Sequence, residues 1–272
     1  MAYPFRAWPR RIHRWLYYHL LCKLEKRIYT RPELPIAAVS LRSAGILERH
    51  FGRTVAHVIH YGVDLAVFRP EARLPLRSAA RQRFSFHEKE FVVLLIGNDW
   101  RNKGLPALLE AAASCADTAL KLLVVGQEDR NLYRDQIVRL GLTARIQFAG
   151  PSSDVLQFYA AADAYAGPSL EETFGLPILE AMACGLPVIV SAQAGVSELV
   201  HDGLDALVLR DPRNASELAR LLRRLLNDPD LREKLGENAA RTAQGITWEK
   251  NAAQTRNFLE AAMLAKNPDK KK

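Results

Sequence analysis

Cysteine is scarce in this chain. Cys22, Cys115 and Cys184 are the only three in 272 residues, lying far apart and without a Cys-x-x-Cys pair. An odd, scattered set does not build the disulfide framework of a small secreted domain, and its spacing excludes a cysteine-based zinc site. Long apolar runs are also missing. None reaches the roughly 18 residues that a membrane span requires, and Arg and His interrupt every apolar stretch near the start before the core of a signal peptide can form. A reducing, cytoplasmic setting is the expectation. No internal repeat is visible, which excludes a solenoid. Acidic residues are nearly absent from the first 31 positions, where Glu25 alone stands against Arg6, Arg10, Arg11, Arg14, Lys23, Lys26, Arg27 and Arg31.

The composition that remains is 49% hydrophobic and 25% charged, the balance of an ordinary globular protein, so disorder, collagen and coiled coil are excluded as the main organisation. The length allows one large domain or two small ones, and a chain of this size buries about three quarters of its unfolded surface without a disulfide or metal staple. The net charge of +8 points to an anionic partner: nucleic acid, an acidic lipid surface or phosphorylated small molecules. The excess belongs to the N-terminal stretch and to Lys270-Lys271-Lys272, while the middle of the chain is close to balanced.

Between residues 91 and 210 short apolar runs alternate with helical stretches. Strands are expected at 91–96, 120–125, 146–149, 164–166, 187–190 and 206–209, and helices at 105–116, 132–140, 155–162, 178–184 and 196–200. Several strands are continuous Val/Ile/Leu runs, as in strands covered on both faces. The alternation predicts a doubly wound parallel α/β domain, whose ligands bind at the carboxyl ends of the strands. Helices are expected at 214–226, 230–242 and 248–264. Upstream, a strand at 36–39, a helix at 41–51 and a strand at 55–59 form one βαβ unit of a different sheet, followed by a linker over 64–81 containing Pro70 and Pro75. The first 30 residues read as a basic, aromatic helix or pair of helices, and the Lys-rich tail as disordered.

The residues richest in chemistry run from Pro168 to Gly185. Pro177 suits the first turn of a helix that begins near Gly175, so the N–H groups of Phe174, Gly175 and Leu176 form an anion site suited to a diphosphate. Glu172 precedes that terminus. Glu180 is the only charge between Phe174 and Ser191. A lone carboxylate in an apolar run is either paired or functional, because unpaired buried charge is costly, and vicinal diols are natural partners for it. The alternative is that Glu172 caps the helix and Glu180 lies on its exposed edge. A second loop, Gly97-Asn98-Asp99-Trp100-Arg101-Asn102-Lys103-Gly104, follows the first strand of the domain. Arg101 and Lys103 there either stabilise the growing charge of a departing diphosphate or belong to a solvated turn.

These segments resemble the glutamate-x7-glutamate region of retaining glycosyltransferases of the GT-B fold, family 4 (glycosyl transferases group 1). The likeness includes Pro168-Ser169, Phe174-Gly175-Leu176-Pro177, Glu180-Ala181-Met182-Ala183-Cys184-Gly185 and Pro187-Val188. It continues through Gly195-x-x-Glu198 and His201-Asp202-Gly203 and covers residues 36 to 258. The resemblance implies one complete Rossmann-like, nucleotide-sugar-binding domain over 70–246 and a partial Rossmann-like acceptor-side domain over 1–69. A helix at 247–264 would return toward the N-terminal part, leaving a basic tail at 265–272. It also implies that the first strands of the acceptor-side domain have no counterpart in this sequence, so the chain is a fragment or a separate polypeptide supplies them.

Carried over, Glu180 binds the donor ribose, Glu172 the sugar hydroxyls, and the amides of Phe174, Gly175 and Leu176 the diphosphate, together with Arg101 and Lys103. Gly97, Val125, Gly126, Gly150 and Pro151 lie at strand ends that hold the diphosphate and the base through backbone groups. The implied activity is hexosyl transfer from a nucleotide-diphosphate sugar to a cell-envelope polysaccharide or glycolipid, with no metal or other cofactor. The alternative is a non-catalytic or split-enzyme donor-binding subunit requiring a partner chain. Nucleic acid is excluded because no recognition motif accompanies the charge. The N-terminal helix either packs on the rest of its domain or contacts an anionic membrane peripherally.

Three further positions complete the reading. His60, in a junction formed by Gly62-Val63-Asp64 and Phe68-Arg69-Pro70, reads as structural rather than as a base. Asp228-Pro229-Asp230 reads as a helix cap rather than a metal ligand. Asp205 stands where the family commonly has glycine.

Overall fold

A computed structural model of the chain describes residues 8–115 and 117–266. The elements are α1 (Trp8–Tyr29), β1 (Ala37–Ala38), α2 (Leu41–Phe51), β2 (His57–Val58), α3 (Pro70–Arg73), α4 (Arg77–Arg83), β3 (Phe91–Ile96) and α5 (Leu105–Ser114). They continue with β4 (Leu120–Val125), α6 (Arg134–Arg139), β5 (Ile146–Ala149), α7 (Leu156–Ala161), β6 (Ala164–Gly167) and α8 (Leu176–Ala183). The last are β7 (Val188–Ser191), β8 (Leu207–Leu209), α9 (Ala215–Asn227), α10 (Pro229–Ala243) and α11 (Trp248–Lys266).

Six strands form one sheet in the order β5-β4-β3-β6-β7-β8, every pair parallel. The chain winds outward from β3 to β5, returns to the middle at β6 and winds the other way to β8. The boundary between β3 and β6 is therefore the topological switch point, where open α/β sheets bind ligands. Alternate residues of β3 enter two different cores: Val92 and Leu94 pack among Tyr159, Ile178 and Met182, whereas Val93 and Leu95 pack among Leu108, Leu109 and Leu222. Period-two alternation sends side chains to both faces, and both faces are covered, which is why these strands read as unbroken apolar runs.

The fold agrees with the parallel α/β expectation, but four local readings are corrected. The presumed linker over 64–81 contains α3 and most of α4. Its helicity was hidden because α4 buries arginine rather than an apolar stripe: Arg81 is wholly buried and, with Arg77, bonds Asp163 at the start of β6. The stretch 132–140 divides into a 3-10 turn (Arg130–Tyr133) and α6, with Asp129 capping the turn. The stretch 196–200 is a 3-10 turn (Gly195–Leu199). The upstream strands keep only two residues each, paired in parallel as β1 and β2.

The first 30 residues form one helix from Trp8 onward, with Trp15, Leu16, Tyr17, Tyr18 and Leu20 exposed among the described residues. α11 reaches the β1–β2 unit, where Phe258 meets His57 edge to face with ring centroids 5.2 Å apart and Asn251 donates to the His60 carbonyl at 2.7 Å. Residues 1–7 and 267–272, which hold Arg6 and most of the basic tail, lie outside the described residues. No helix among those described is long and apolar enough to cross a membrane.

Candidate functional site

β3 and β6 deliver the two site loops side by side at the switch point. The loop after β3, residues 97–104, is stitched to the loop after β6. Leu170 N donates to Asn102 O at 2.7 Å, and Asn102 Nδ2 donates to Glu171 O at 2.8 Å. Gly104 cannot be replaced without moving this seam: its φ is +81° and a Cβ would stand 2.0 Å from the Pro168 carbonyl oxygen. At the other edge, a Cβ on Gly126 would lie 1.9 Å from Gly97 O, so the ends of β3 and β4 touch backbone to backbone. Asn98 accepts from Gln127 N at 3.0 Å and ties the same two loops.

Within this frame the Lys103 ammonium pairs with the Glu172 carboxylate, both side chains half-buried. The stem of Lys103 folds across Gly97, where a Cβ would lie 2.6 Å from Lys103 Cε. Glu172 is held by its backbone, which donates to Gln193 O at 3.2 Å and accepts from Gly195 N at 3.0 Å. Arg101 is not part of the pair. It is exposed, near Tyr133, whose phenol is pushed up to about 12 by burial and by Glu128 and Asp99, with Arg101 opposing that shift.

Gly175 adopts φ +107° as the N-cap of α8. Among the described residues no acceptor meets the N–H groups of Phe174, Gly175 and Leu176, which is the arrangement that receives anions at a helix start. Glu180, on the second turn of α8, accepts from Tyr159 Oη at 2.6 Å. Burial pushes its carboxyl above the ordinary glutamate value, and the phenol bond opposes that shift. Tyr165, wholly within the core, donates to Ile96 O at 3.4 Å. Its phenol is raised chiefly by burial and also by Glu172 and Glu180. Val125 is buried at the end of β4, while Gly150 and Pro151 are exposed after β5 with open space around Gly150.

The folded state holds the Glu180 proton more tightly than the unfolded chain, so ionising this group costs stability as pH rises above the ordinary value of 4.5. Glu180→Gln is therefore expected to melt above the wild type at pH 7, and the gap should close as pH falls toward 4.5. A variant that melts below wild type at pH 7 would show that the phenol–carboxylate bond outweighs the burial cost.

Two contacts lay beyond the sequence reading. Glu198 accepts from Leu41 N through both oxygens, at 2.9 and 3.0 Å, and meets His60 Nε2 at 2.7 Å. It thus takes up the first N–H of α2, whose N-cap is Ser40, and it holds His60 with its ring 6.0 Å from that of Phe174. Asp205 is buried and accepts from His201 N at 2.7 Å and Thr242 Oγ1 at 2.8 Å, bracing against α10 a loop where the family uses glycine. The signal for Glu198 was its place in Gly195-x-x-Glu198; nothing in the sequence announced the partners of Asp205. Asp228 accepts from Leu231 N at 2.9 Å as the N-cap of α10.

The doubly wound sheet and the loops gathered at its switch point are those of a GT-B glycosyltransferase domain. The profile described as Glycosyl transferases group 1 matches residues 77–242, and the chain belongs to that family. It is 32% identical over 261 residues to D-inositol 3-phosphate glycosyltransferase of Salinispora arenicola, a match covering 90% of this chain and 58% of that protein. Other relatives of the same description are covered over 50% of their length, so the chain spans about half the length of the curated relatives it matches. Among solved structures it is similar to sucrose-phosphate synthase from Thermosynechococcus elongatus, with a TM-score of 0.79, 28% identity and coverage of 90% of this chain and 62% of that one. It is also similar to HepE of Anabaena in complex with UDP, with a TM-score of 0.76, 27% identity and coverage of 83% and 63%. HepE has been crystallised with UDP-glucose as well.

Proposed function

We propose that this chain is the donor-binding part of a retaining, family 4 hexosyltransferase that takes a nucleotide-diphosphate sugar and serves cell-envelope polysaccharide or glycolipid assembly. The observation that carries the reading is the meeting, at one switch point, of the Lys103–Glu172 pair, the unpartnered amides of Phe174, Gly175 and Leu176, and the Tyr159-bonded carboxylate of Glu180. A nucleotide-diphosphate sugar laid across these groups places phosphate oxygens on the amides and Lys103, ribose hydroxyls on Glu180 and the sugar hydroxyls on Glu172. Arg101, on the outer side of the loop, adds a cation for the leaving diphosphate. The base lies over the ends of β4 and β5, at Gly126, Gly150 and Pro151. The complexes of HepE with UDP and UDP-glucose support a donor of this class.

Nothing in this arrangement asks for a metal, since amides and cations supply the charge that a phosphate-bound ion would otherwise bring. Calorimetric titration with UDP, GDP and ADP is expected to show binding of at least one, weakened by Glu180→Ala. No binding of any of the three would overturn the reading.

A second reading is a donor-binding subunit that requires a partner chain for the acceptor side. The two-stranded β1–β2 sheet and the exposed apolar residues of α1 favour it, because two strands alone make too small a sheet to bury its faces. Transfer by the purified chain without any partner would exclude it.

A further inference from the structure

We propose that Tyr159 is a positioning residue for donor recognition: its phenol holds one carboxylate oxygen of Glu180 so that the other is presented to the ribose hydroxyls of a nucleoside diphosphate. The inference rests on the donor-binding reading above and adds a residue to it. Tyr159 lies on α7, inside the core rather than at the ligand surface, with no exposed area. Its ring cannot swing. It meets Phe68 edge to face with centroids 5.8 Å apart and lies 6.4 Å from the ring of Tyr165.

The phenol oxygen stands 2.6 Å from Glu180 Oε2 and 3.2 Å from Pro177 O. It has one proton to give, and the shorter contact to the charged acceptor takes it. Glu180 Oε1 has no donor among the described residues. A glutamate side chain at a half-buried position that still reaches solvent otherwise samples several rotamers, and a ligand must bear the cost of freezing them. A donor fixed on the core side removes that cost before the ligand arrives. It also settles which oxygen faces outward.

The test uses the full chain, titrated calorimetrically with UDP and with 2′,3′-dideoxy-UDP, which keeps the base and diphosphate but offers Glu180 no diol. Wild type is expected to prefer UDP. Tyr159→Phe should lose about ten-fold in affinity for UDP, the scale of one hydrogen bond to a charged group, and keep its affinity for the dideoxy compound. A purely structural role weakens both ligands alike, so an equal loss, or no loss, overturns the proposal. If Tyr159→Phe does not fold, 3-fluorotyrosine at this position is a stronger donor of nearly the same volume, and it must change the ratio of the two affinities or the proposal fails. A wild-type chain that binds neither UDP, GDP nor ADP overturns the donor-binding reading and this proposal with it. A wild type that binds UDP without preferring it overturns the ribose contact alone.

Discussion

Asp163→Ala is expected to destabilise the folded chain by about 3–5 kcal/mol, the scale seen when one partner of a buried ion pair is removed. Asp163 stands at the entrance to β6 and serves three donors: Arg77 at 2.6 Å, Arg81 at 3.1 Å and the backbone N–H of Val92 at 2.8 Å. Arg81 is the decisive one. With 1% of its surface exposed it cannot turn to water, and its remaining bonds, to the carbonyls of Ala161, His87 and Glu90, are all to neutral groups. Removing the carboxylate leaves a guanidinium buried without a counter-ion and an unpaired N–H beside the first residues of β3. Urea denaturation at pH 7 measures the loss as a lower midpoint at unchanged slope. The double variant Asp163→Leu/Arg81→Met should recover much of it, because replacing both charges removes the desolvation cost together with the attraction. A loss below about 1 kcal/mol in Asp163→Ala would place the pair in the range of solvent-screened surface contacts.

Under the proposed donor-binding role, Lys103→Met is expected to lower the rate of sugar transfer by about 10²–10³-fold, the effect of deleting one fixed group that meets developing charge in a transition state. Methionine is chosen because the stem of Lys103 fills the space above Gly97, and a shorter side chain would confound lost charge with lost packing. The substitution also leaves Glu172 without its counter-ion. Steady-state transfer assays separate the roles: loss of a cation that meets charge in the transition state lowers kcat and kcat/KM together, whereas loss of an organiser of Glu172 raises KM for the sugar donor with kcat held. A fall of less than about ten-fold would refute a leaving-group role, since single transition-state donors exceed that. Arg101→Met should cost less, as its side chain is exposed and outside the pair.

The central strands were legible because burial on both faces writes itself as an unbroken apolar run, and Phe91–Ile96 and Leu120–Val125 are where the sequence places them. The helix start at Gly175 was legible from glycine and proline, but the roles of Glu172 and Glu180 came from resemblance to a family, since the two carboxylates alone also fit a helix cap and an exposed edge. Three features were not legible. The segment before β3 looked like a linker because a helix that buries arginine shows no apolar stripe. Tyr159 sits in Phe158-Tyr159-Ala160-Ala161, where any aromatic reads as core, and its partner lies 21 positions later on another helix. Glu198 and Leu41 are 157 positions apart. Pairing across such distances depends on how elements are stacked, which local pattern does not encode.

The contacts of Ser40, Leu41 and His60 bear on how such proteins can be recombined. Ser40 Oγ donates to Thr173 O at 2.9 Å, and Leu41 and His60 both converge on Glu198. A chimera spliced at the junction near Pro70 would join the chain in the obvious place and still break the interface, because the segment before the splice is gripped by acceptors more than a hundred positions beyond it. Grafting succeeds only when the carbonyl of the 173 loop and the carboxylate at 198 travel with, or are matched by, the incoming half. The seam between the segment before Pro70 and the six-stranded sheet domain is therefore discontinuous in sequence, and exchange of that segment is constrained by two short loops, around Thr173 and Glu198.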